Sequence, residues 1–337
     1  MSSRSKESAG TLLGPILRSV SRSFYLSIRL LPRKLRQPVG LAYLLARATD
    51  TVADTAEVPA LVRAETLSQL LSIIEGQTSP GQIAEVTQSF APLQTNRAEQ
   101  RLVEALPDCL KYLHQFEAPD RRDIVALLGK IIKGQALDVA RFGDATQIRA
   151  LTSDQELHEY TYLVAGCVGE FWTELCFRHV SHFAKQPHAG MIELAKRYGS
   201  GLQLINILRD APADLQAGRC YFPKEELDAI GIEPSQILLE PDRIDLVYDK
   251  WLEEAQRGLT AGIDYIHAIC DWRVRGATAL PALIGARTLA LLRAAGPAAL
   301  HRKIKISRNE VRGIFASVVF TFANGPHIEK MFRRMFD

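Results

Sequence analysis

Three long stretches of this chain repeat apolar residues at spacings of three and four: "LVRAETLSQLLSIIEG" (61–76), "DIVALLGKIIKGQALDVARF" (123–142) and "VYDKWLEEAQRGLTAGIDYIHAI" (247–269). That period matches a helix of 3.6 residues per turn and not the two-residue period of a strand. Alternating Val/Ile/Thr patterns are nearly absent, so the expected class is all-α. Gly, Pro, Ser, Asp and Asn gather at 76–96, 143–153, 183–190 and 231–243, which are read as loops. None is long or biased enough to separate domains. A single helical domain over residues 1–337 is therefore expected. No fixed period recurs along the chain, which argues against a solenoid.

With 337 residues the chain can bury a large core, and 47% hydrophobic residues are available to fill it. A net charge of only +3 argues for a globular protein and against a nucleic-acid binder. The five cysteines are scattered without a CxxC pair, which fits buried thiols in a reducing compartment. "MSSRSKESAG" at the N-terminus has no apolar core of a signal peptide, so a cytoplasmic location is expected. The apolar run 278–300 is broken by Arg287, Arg293 and two prolines, and is read as a buried helix. "EKMFRRMFD" mixes basic and apolar residues; it is read as a capping helix, with peripheral membrane contact as the alternative.

Against this apolar background, "LLARATDTVADT" (44–55) places charge in what reads as a core helix. Pro38 suits the first turn of that helix. Tyr43, Arg47, Asp50 and Asp54 follow at spacings of four, three and four, forming one line down one face. Leu41, Leu44, Leu45, Ala48 and Val52 cover the other faces. A surface helix would show a broad polar face, whereas a narrow stripe fits a packed helix bordering a cavity. A solvated Arg47–Asp50 ion pair is the plainer alternative for this segment alone.

The segment "GSGLQLINILRDAPADLQAGRCYFP" repeats the design. Gly199, Gln203, Asn206, Asp210 and Asp214 fall at spacings of four, three, four and four. Leu202, Leu204, Ile205, Ile207 and Leu208 take the remaining sides, and Arg209 stands beside the first aspartate. If the two stripes face one cavity, four carboxylates repel one another until something positive sits between them. Mg²⁺ takes oxygen ligands, keeps waters, and bridges one or two carboxylates to phosphates. Asn206 adds a neutral oxygen, and Arg22, Arg47, Arg209 and Arg219 suit forked contacts to phosphate oxygens. A metal-bridged diphosphate uses all of these parts. Pro212 predicts that the second helix kinks or ends near Asp210.

"SRSF" (21–24), "DTVAD" (50–54), "YLVAGCVG" (162–169) and "LQLINILRDAPADLQAGRCYFP" (202–223) together resemble the squalene/phytoene synthase family, over roughly residues 15 to 315. "YLLARATDT" and "KIKISRNEV" look more like squalene synthases than phytoene synthases. The resemblance implies an isoprenoid synthase fold with a central cavity between helices. It implies head-to-head condensation of two farnesyl diphosphates through presqualene diphosphate to squalene, with Mg²⁺ (Mn²⁺ as a substitute) and NADPH. It assigns metal binding to Asp50, Asp54, Asn206, Asp210 and Asp214. Diphosphate contacts fall to Ser21, Arg22, Arg47, Arg209, Arg219 and Gln203. Tyr162 is assigned proton transfer and cation control, with Tyr43 and Arg47 beside the reacting groups. Lys305 and Arg308 are assigned to the NADPH phosphates, with a solvated basic patch as the alternative. The family's glutamate before each second aspartate is replaced here by Ala53 and Ala213, which implies a leaner metal site. Ala165, Gly166 and Gly169 are read as room for an isoprenoid chain, against close helix packing. Rival readings are dehydrosqualene or phytoene synthesis without a reductant, arrest at presqualene diphosphate, and a non-catalytic scaffold of the same fold.

Overall fold

The computed structural model describes residues 9–21, 24–77, 81–143, 147–302 and 304–336. The chain is helical almost throughout, as its periodicity requires, and it divides into two compact units, residues 1–144 and 145–337.

The first unit is built around α1 (Arg33–Ala53), which packs on α2 (Ala60–Ile74), α3 (Arg97–Glu104), α4 (Leu106–Leu113) and α5 (Ala118–Phe142). Between Leu41 and Val52, every residue of α1 is buried except Tyr43, Ala46, Arg47 and Asp50. The expected narrow stripe is therefore what the packing leaves uncovered. Helix α1 starts earlier than Pro38 predicts. Pro32 supplies the extended residue before the helix, and Pro38 lies buried inside it. An internal proline gives up one backbone hydrogen bond, a loss that packing on several sides can offset. Buried Arg63 of α2 ties the end of α1 in place, donating to the Ala53 carbonyl at 2.6 Å and to that of Gly143 at 2.8 Å. The stretch 76–96, expected to be a loop, contains a helix over Gly81–Phe90, whose Ile83, Val86 and Phe90 are buried.

In the second unit, parallel strands β1 (Arg149–Leu151) and β2 (Arg219–Pro223) form a two-stranded ladder that pairs Arg149 with Arg219. Its main helices are α6 (Asp154–Thr161), which leads through a π-helical turn (Tyr162–Gly166) into α7 (Cys167–His179), then α8 (His188–Gln216), α9 (Asp245–Ala268), α10 (Trp272–Ala295), α11 (Arg308–Phe320) and α12 (Gly325–Arg333). Helix α8 runs through the middle, packed on α7, α9 and α10. It passes Pro212 without ending, and closes at Gln216 before Gly218 at φ +81°. Asp210 and Asp214 therefore stay one helical turn apart, about 6 Å along the axis.

Glycine sets how closely α8 meets its neighbours. A Cβ on Gly201 would lie 2.7 Å from the Gly258 Cα of α9. On the other side, a Cβ on Gly169 would lie 2.2 Å from the Ala195 carbonyl oxygen, and one on Gly166 would lie 2.7 Å from Ser200 Oγ. Gly166 and Gly169 thus serve helix–helix contact, and this corrects their reading as space for a prenyl chain. A Cβ on Gly199 of the second stripe would likewise meet backbone, 2.4 Å from the Ala165 carbonyl oxygen. Helix α10 is apolar and long enough to span a bilayer, but half of its most apolar window is buried within the structure. It is a core helix, as expected.

The seam predicts an asymmetric glycine test. Gly169→Ala must push α7 from the α8 backbone and should lower stability by about 1–3 kcal/mol. Gly190→Ala, where the nearest atom is a flexible Gln186 oxygen at 3.5 Å, should be neutral or gain up to about 1 kcal/mol from helix propensity. Thermal unfolding of the two variants checks this.

Candidate active site

The α1 stripe is an acidic cluster with one cation woven through it. The Arg47 guanidinium donates to the Asp50 carboxylate and, at 2.6 Å, to Glu99 of α3. Burial lowers the arginine's pKa, but the charges of Asp50 and Glu99 outweigh it and the net shift is upward. Arg47 is therefore held by two acids rather than displayed singly. Tyr43 donates to the Val20 carbonyl at 3.1 Å and packs its ring 5.2 Å from that of Phe24.

Asp50 is the strained member. Its carboxyl is raised from 3.8 to about 7, first by burial, then by the charge of Asp54; Arg47 opposes this and Asp138 of α5 adds to it. Yet 41% of its side-chain surface stays open to solvent. Asp54 follows one turn later as the exposed C-cap residue of α1. Glu99 and Asp138 were not singled out from sequence, because both reach the stripe from other helices. Ala53, which the family resemblance contrasts with glutamate, is 8% exposed.

On α8 the second stripe keeps its order. Gln203, Asn206, Arg209, Asp210 and Asp214 are all half-buried, while Leu204, Ile205, Ile207, Leu208 and Leu215 are buried. Asn206 Nδ2 donates to Gln203 Oε1 at 3.3 Å, which leaves the Asn206 carbonyl oxygen as an acceptor. Arg209 grips Asp210 with two bonds, Nε to Oδ1 at 3.0 Å and Nη2 to Oδ2 at 2.5 Å. Each stripe thus pairs its first aspartate with an arginine on the same helix. Ala213 is exposed. Arg219 opens β2, half-buried, just past the end of α8.

Tyr162 begins the π-helical turn before α7 and donates to Glu170 Oε2 at 2.9 Å. The extra residue in a π turn shifts side chains off the regular helical face, and such turns are frequent at functional sites. Lys196 of α8 stands 5.9 Å from the Tyr162 ring centre. Ser21 is 3% exposed and donates its hydroxyl to the Leu17 carbonyl, so it caps its own helix in this structure. Arg22 lies outside the described residues. Lys305 and Arg308 are exposed, and the "SRNE" motif is a helix cap: Ser307 and Glu310 bond each other's backbone N–H groups.

Among the described residues, no three His, Cys, Asp or Glu side chains already converge as a metal cage. The donor set still fits Mg²⁺, which seldom uses an all-protein cage. It takes one or two carboxylates and completes its shell with water and phosphate. Asp50, desolvated and pressed by like charge, is a carboxylate that gains from a cation.

Residues 17–310 match the squalene/phytoene synthase family. The chain belongs to this family. It is 27% identical over 308 residues to the phytoene synthase of Mycobacterium tuberculosis, covering 89% of this chain and 87% of the relative. It is 27% identical over 287 residues to the bifunctional lycopene cyclase/phytoene synthase of Blakeslea trispora, covering 82% of this chain and 44% of that protein. The chain therefore spans less than half the length of the latter relative. Its fold matches TcSQS in complex with the ligand BPH1237 at a TM-score of 0.76 and 19% identity, over 98% of both chains. Family membership and the all-α fold stand as expected.

The sign of the Asp50 shift gives a pH test. Between about pH 4 and 7 the folded chain holds a proton that the unfolded chain has released, so this group's stabilisation is complete below that window and lost as pH rises through it. Asp50→Asn should therefore melt higher than wild type at pH 8 without metal, by about 1 kcal/mol after allowance for solvent access. The gap should close toward pH 5.

Proposed function

We propose that this chain joins two molecules of farnesyl diphosphate head to head, through presqualene diphosphate to squalene. The observation carrying this reading is the repeated aspartate pair. Asp50 and Asp54 on α1, and Asp210 and Asp214 on α8, each lie one turn apart on the uncovered stripe of an otherwise packed helix. Each pair has an arginine bonded to its first member. Such stripes suit a diphosphate and the ions that accompany it.

In this reading Asp50, Asp54, Asp210 and Asp214, with the Asn206 oxygen, hold Mg²⁺. The metal supplies neutralisation of the diphosphate charge. Arg47, Arg209 and Arg219 supply donors to phosphate oxygens as the carbon–oxygen bond breaks, the step at which electrostatic stabilisation contributes most. With Asp50 and Asp210 holding a bound ion, Arg47 and Arg209, now bonded to those carboxylates, would be available to donate to phosphate oxygens. Loss of diphosphate from the donor leaves an allylic cation. The C2=C3 double bond of the acceptor attacks it, and loss of a proton closes the cyclopropane. In this reading Tyr162, bonded to Glu170, takes the proton-relay role, and Tyr43 is assigned to the reacting groups as well. Apolar walls must exclude water from the cation.

The reductive finish is read from the squalene synthase-like segments "YLLARATDT" and "KIKISRNEV". NADPH supplies the hydride for that step when bound. Lys305 and Arg308 offer it exposed cationic contacts and no enclosed cradle. A second reading, condensation without reduction, is favoured by the relatives named phytoene synthase. In this reading the reaction runs in the cytoplasm, with greasy substrate and product exchanged at a membrane surface.

Incubation with farnesyl diphosphate and Mg²⁺, with and without NADPH, and with geranylgeranyl diphosphate in a parallel tube, separates these readings by product mass spectrometry. Squalene only with NADPH is expected. Dehydrosqualene in both tubes, or phytoene from the longer substrate, selects the non-reductive reading. Asp50→Asn and Asp210→Asn should each lower condensation by about a hundredfold or more, at the scale of lost electrostatic stabilisation. Unchanged rates in either variant would remove the site assignment.

A further inference from the structure

The C-terminal part of the second unit carries an aromatic ledge that the condensation does not use. Helices α11 and α12 are joined by the turn Thr321–Asn324. At this corner Phe320 is 82% exposed and Phe322 is 67% exposed, although Ile314 and Val318 of the same helix are buried. The backbone enters the left-handed region at two consecutive non-glycine residues, Phe322 at φ 51° and Ala323 at φ 50°. L residues with a Cβ are disfavoured there, and a bulky phenylalanine is an outlier.

This conformation is fixed by its neighbours. Arg275 of α10 donates from Nε to the Ala323 carbonyl at 2.7 Å and from Nη1 to the Ile269 carbonyl at 2.8 Å. The Ala323 N–H bonds the Val318 carbonyl at 2.8 Å, and the Asn324 side chain accepts from His327 N–H at 3.2 Å, capping α12. The result puts the small Ala323 inside, at 1% exposure, and the large Phe322 outside. A turn selected for stability alone would place glycine or asparagine at the positive φ and the phenylalanine in the core.

Outside, Phe322 meets Trp272 edge-on with ring centres 5.5 Å apart, and the Arg273 guanidinium stands 5.5 Å from the Trp272 ring. Exposed Lys330 and Arg334 extend the positive charge along α12 and just past its end. Glu329, the acid of that helix, is already paired with Arg333 at 2.5 Å and with His267 at 3.3 Å.

We propose that Phe320, Phe322 and Trp272 form a docking ledge for the surface of an anionic phospholipid membrane, with Arg273, Lys330 and Arg334 facing the headgroups. Tryptophan and phenylalanine favour the boundary between headgroups and acyl chains, and neighbouring cations add attraction to anionic lipid. The ledge needs no spanning helix, so α10 stays in the core. It centres the apolar contact on the α11–α12 corner, while Lys330 and Arg334 come from the "EKMFRRMFD" segment, which the sequence reads as a capping helix with membrane contact as the alternative. The inference stands apart from the catalytic reading, because none of these residues belongs to either aspartate stripe.

Flotation of the full chain with two kinds of vesicle tests it: phosphatidylcholine alone, and equal parts phosphatidylcholine and phosphatidylglycerol. The wild type should float with the mixed vesicles, weakly with phosphatidylcholine, and less as salt rises. The emission of Trp272 should shift to the blue on the mixed vesicles, a change absent in Trp272→Phe. Phe320→Ser with Phe322→Ser should reduce binding about tenfold or more, with the rate on detergent-dispersed substrate unchanged. Phe322→Asn guards against misfolding: asparagine tolerates the left-handed region, so this variant should keep or raise the melting temperature while losing binding. Wild type that floats with neither vesicle, or variants that bind as well as wild type, would overturn the proposal. So would a wild-type dimer that Phe322→Asn converts to monomer, since the ledge would then belong to a second copy of the chain.

Discussion

Like charge crowded onto a narrow, recessed strip of helix is the constraint from which the rest follows. Packing buries three sides of α1 and leaves Tyr43, Arg47 and Asp50 as its polar outlet. Asp54, Glu99 and Asp138 then press on the same region from the end of α1 and from two other helices. Arg47 offsets part of the repulsion, but Asp50 still sits near pH 7 in its titration. A helix optimised for stability would place alanine or leucine there. The folded chain instead keeps a carboxylate that burial and like charge make costly, a cost that the cation binding proposed for this site would offset.

The second stripe shows how backbone packing holds such chemistry in register. Helix α8 meets its neighbours at Gly201, Gly258, Gly166 and Gly169 with almost no side chain between the backbones. Close contact on both sides leaves little freedom for rotation about the helix axis. The direction in which Asn206, Asp210 and Asp214 face is therefore set by glycines up to several turns away. It also lets the helix carry Pro212 without ending, because tertiary contacts outweigh the local loss of one hydrogen bond.

The repeated period made the helices legible, and the two stripes were legible as the same design used twice. What escaped sequence reading came from other elements. Glu99, Asp138 and Glu170 carry no local signature; they matter because folding brings them to Arg47, Asp50 and Tyr162. Gly166 and Gly169 were visible, but glycine in a helix has the same spacing whether its empty face meets a ligand or another backbone. The helix over Gly81–Phe90 was hidden by flanking Gly, Pro and Ser, although Ile83, Val86 and Phe90 already held a helical spacing. The "SRNE" segment carried two meanings, and its capping role needed the backbone to be seen. Phe322 is the converse case: nothing in "FTFAN" says that the phenylalanine takes the left-handed position while the alanine goes inside.

We propose that both aspartate stripes are needed to bind a metal-bridged diphosphate. Calorimetric titration with inorganic pyrophosphate, in the presence and absence of Mg²⁺, reads this without any turnover. Binding is expected only when Mg²⁺ is present, and it should be lost in Asp50→Asn and in Asp210→Asn alike. Pyrophosphate binding that needs no Mg²⁺, or that survives either substitution unchanged, would contradict it.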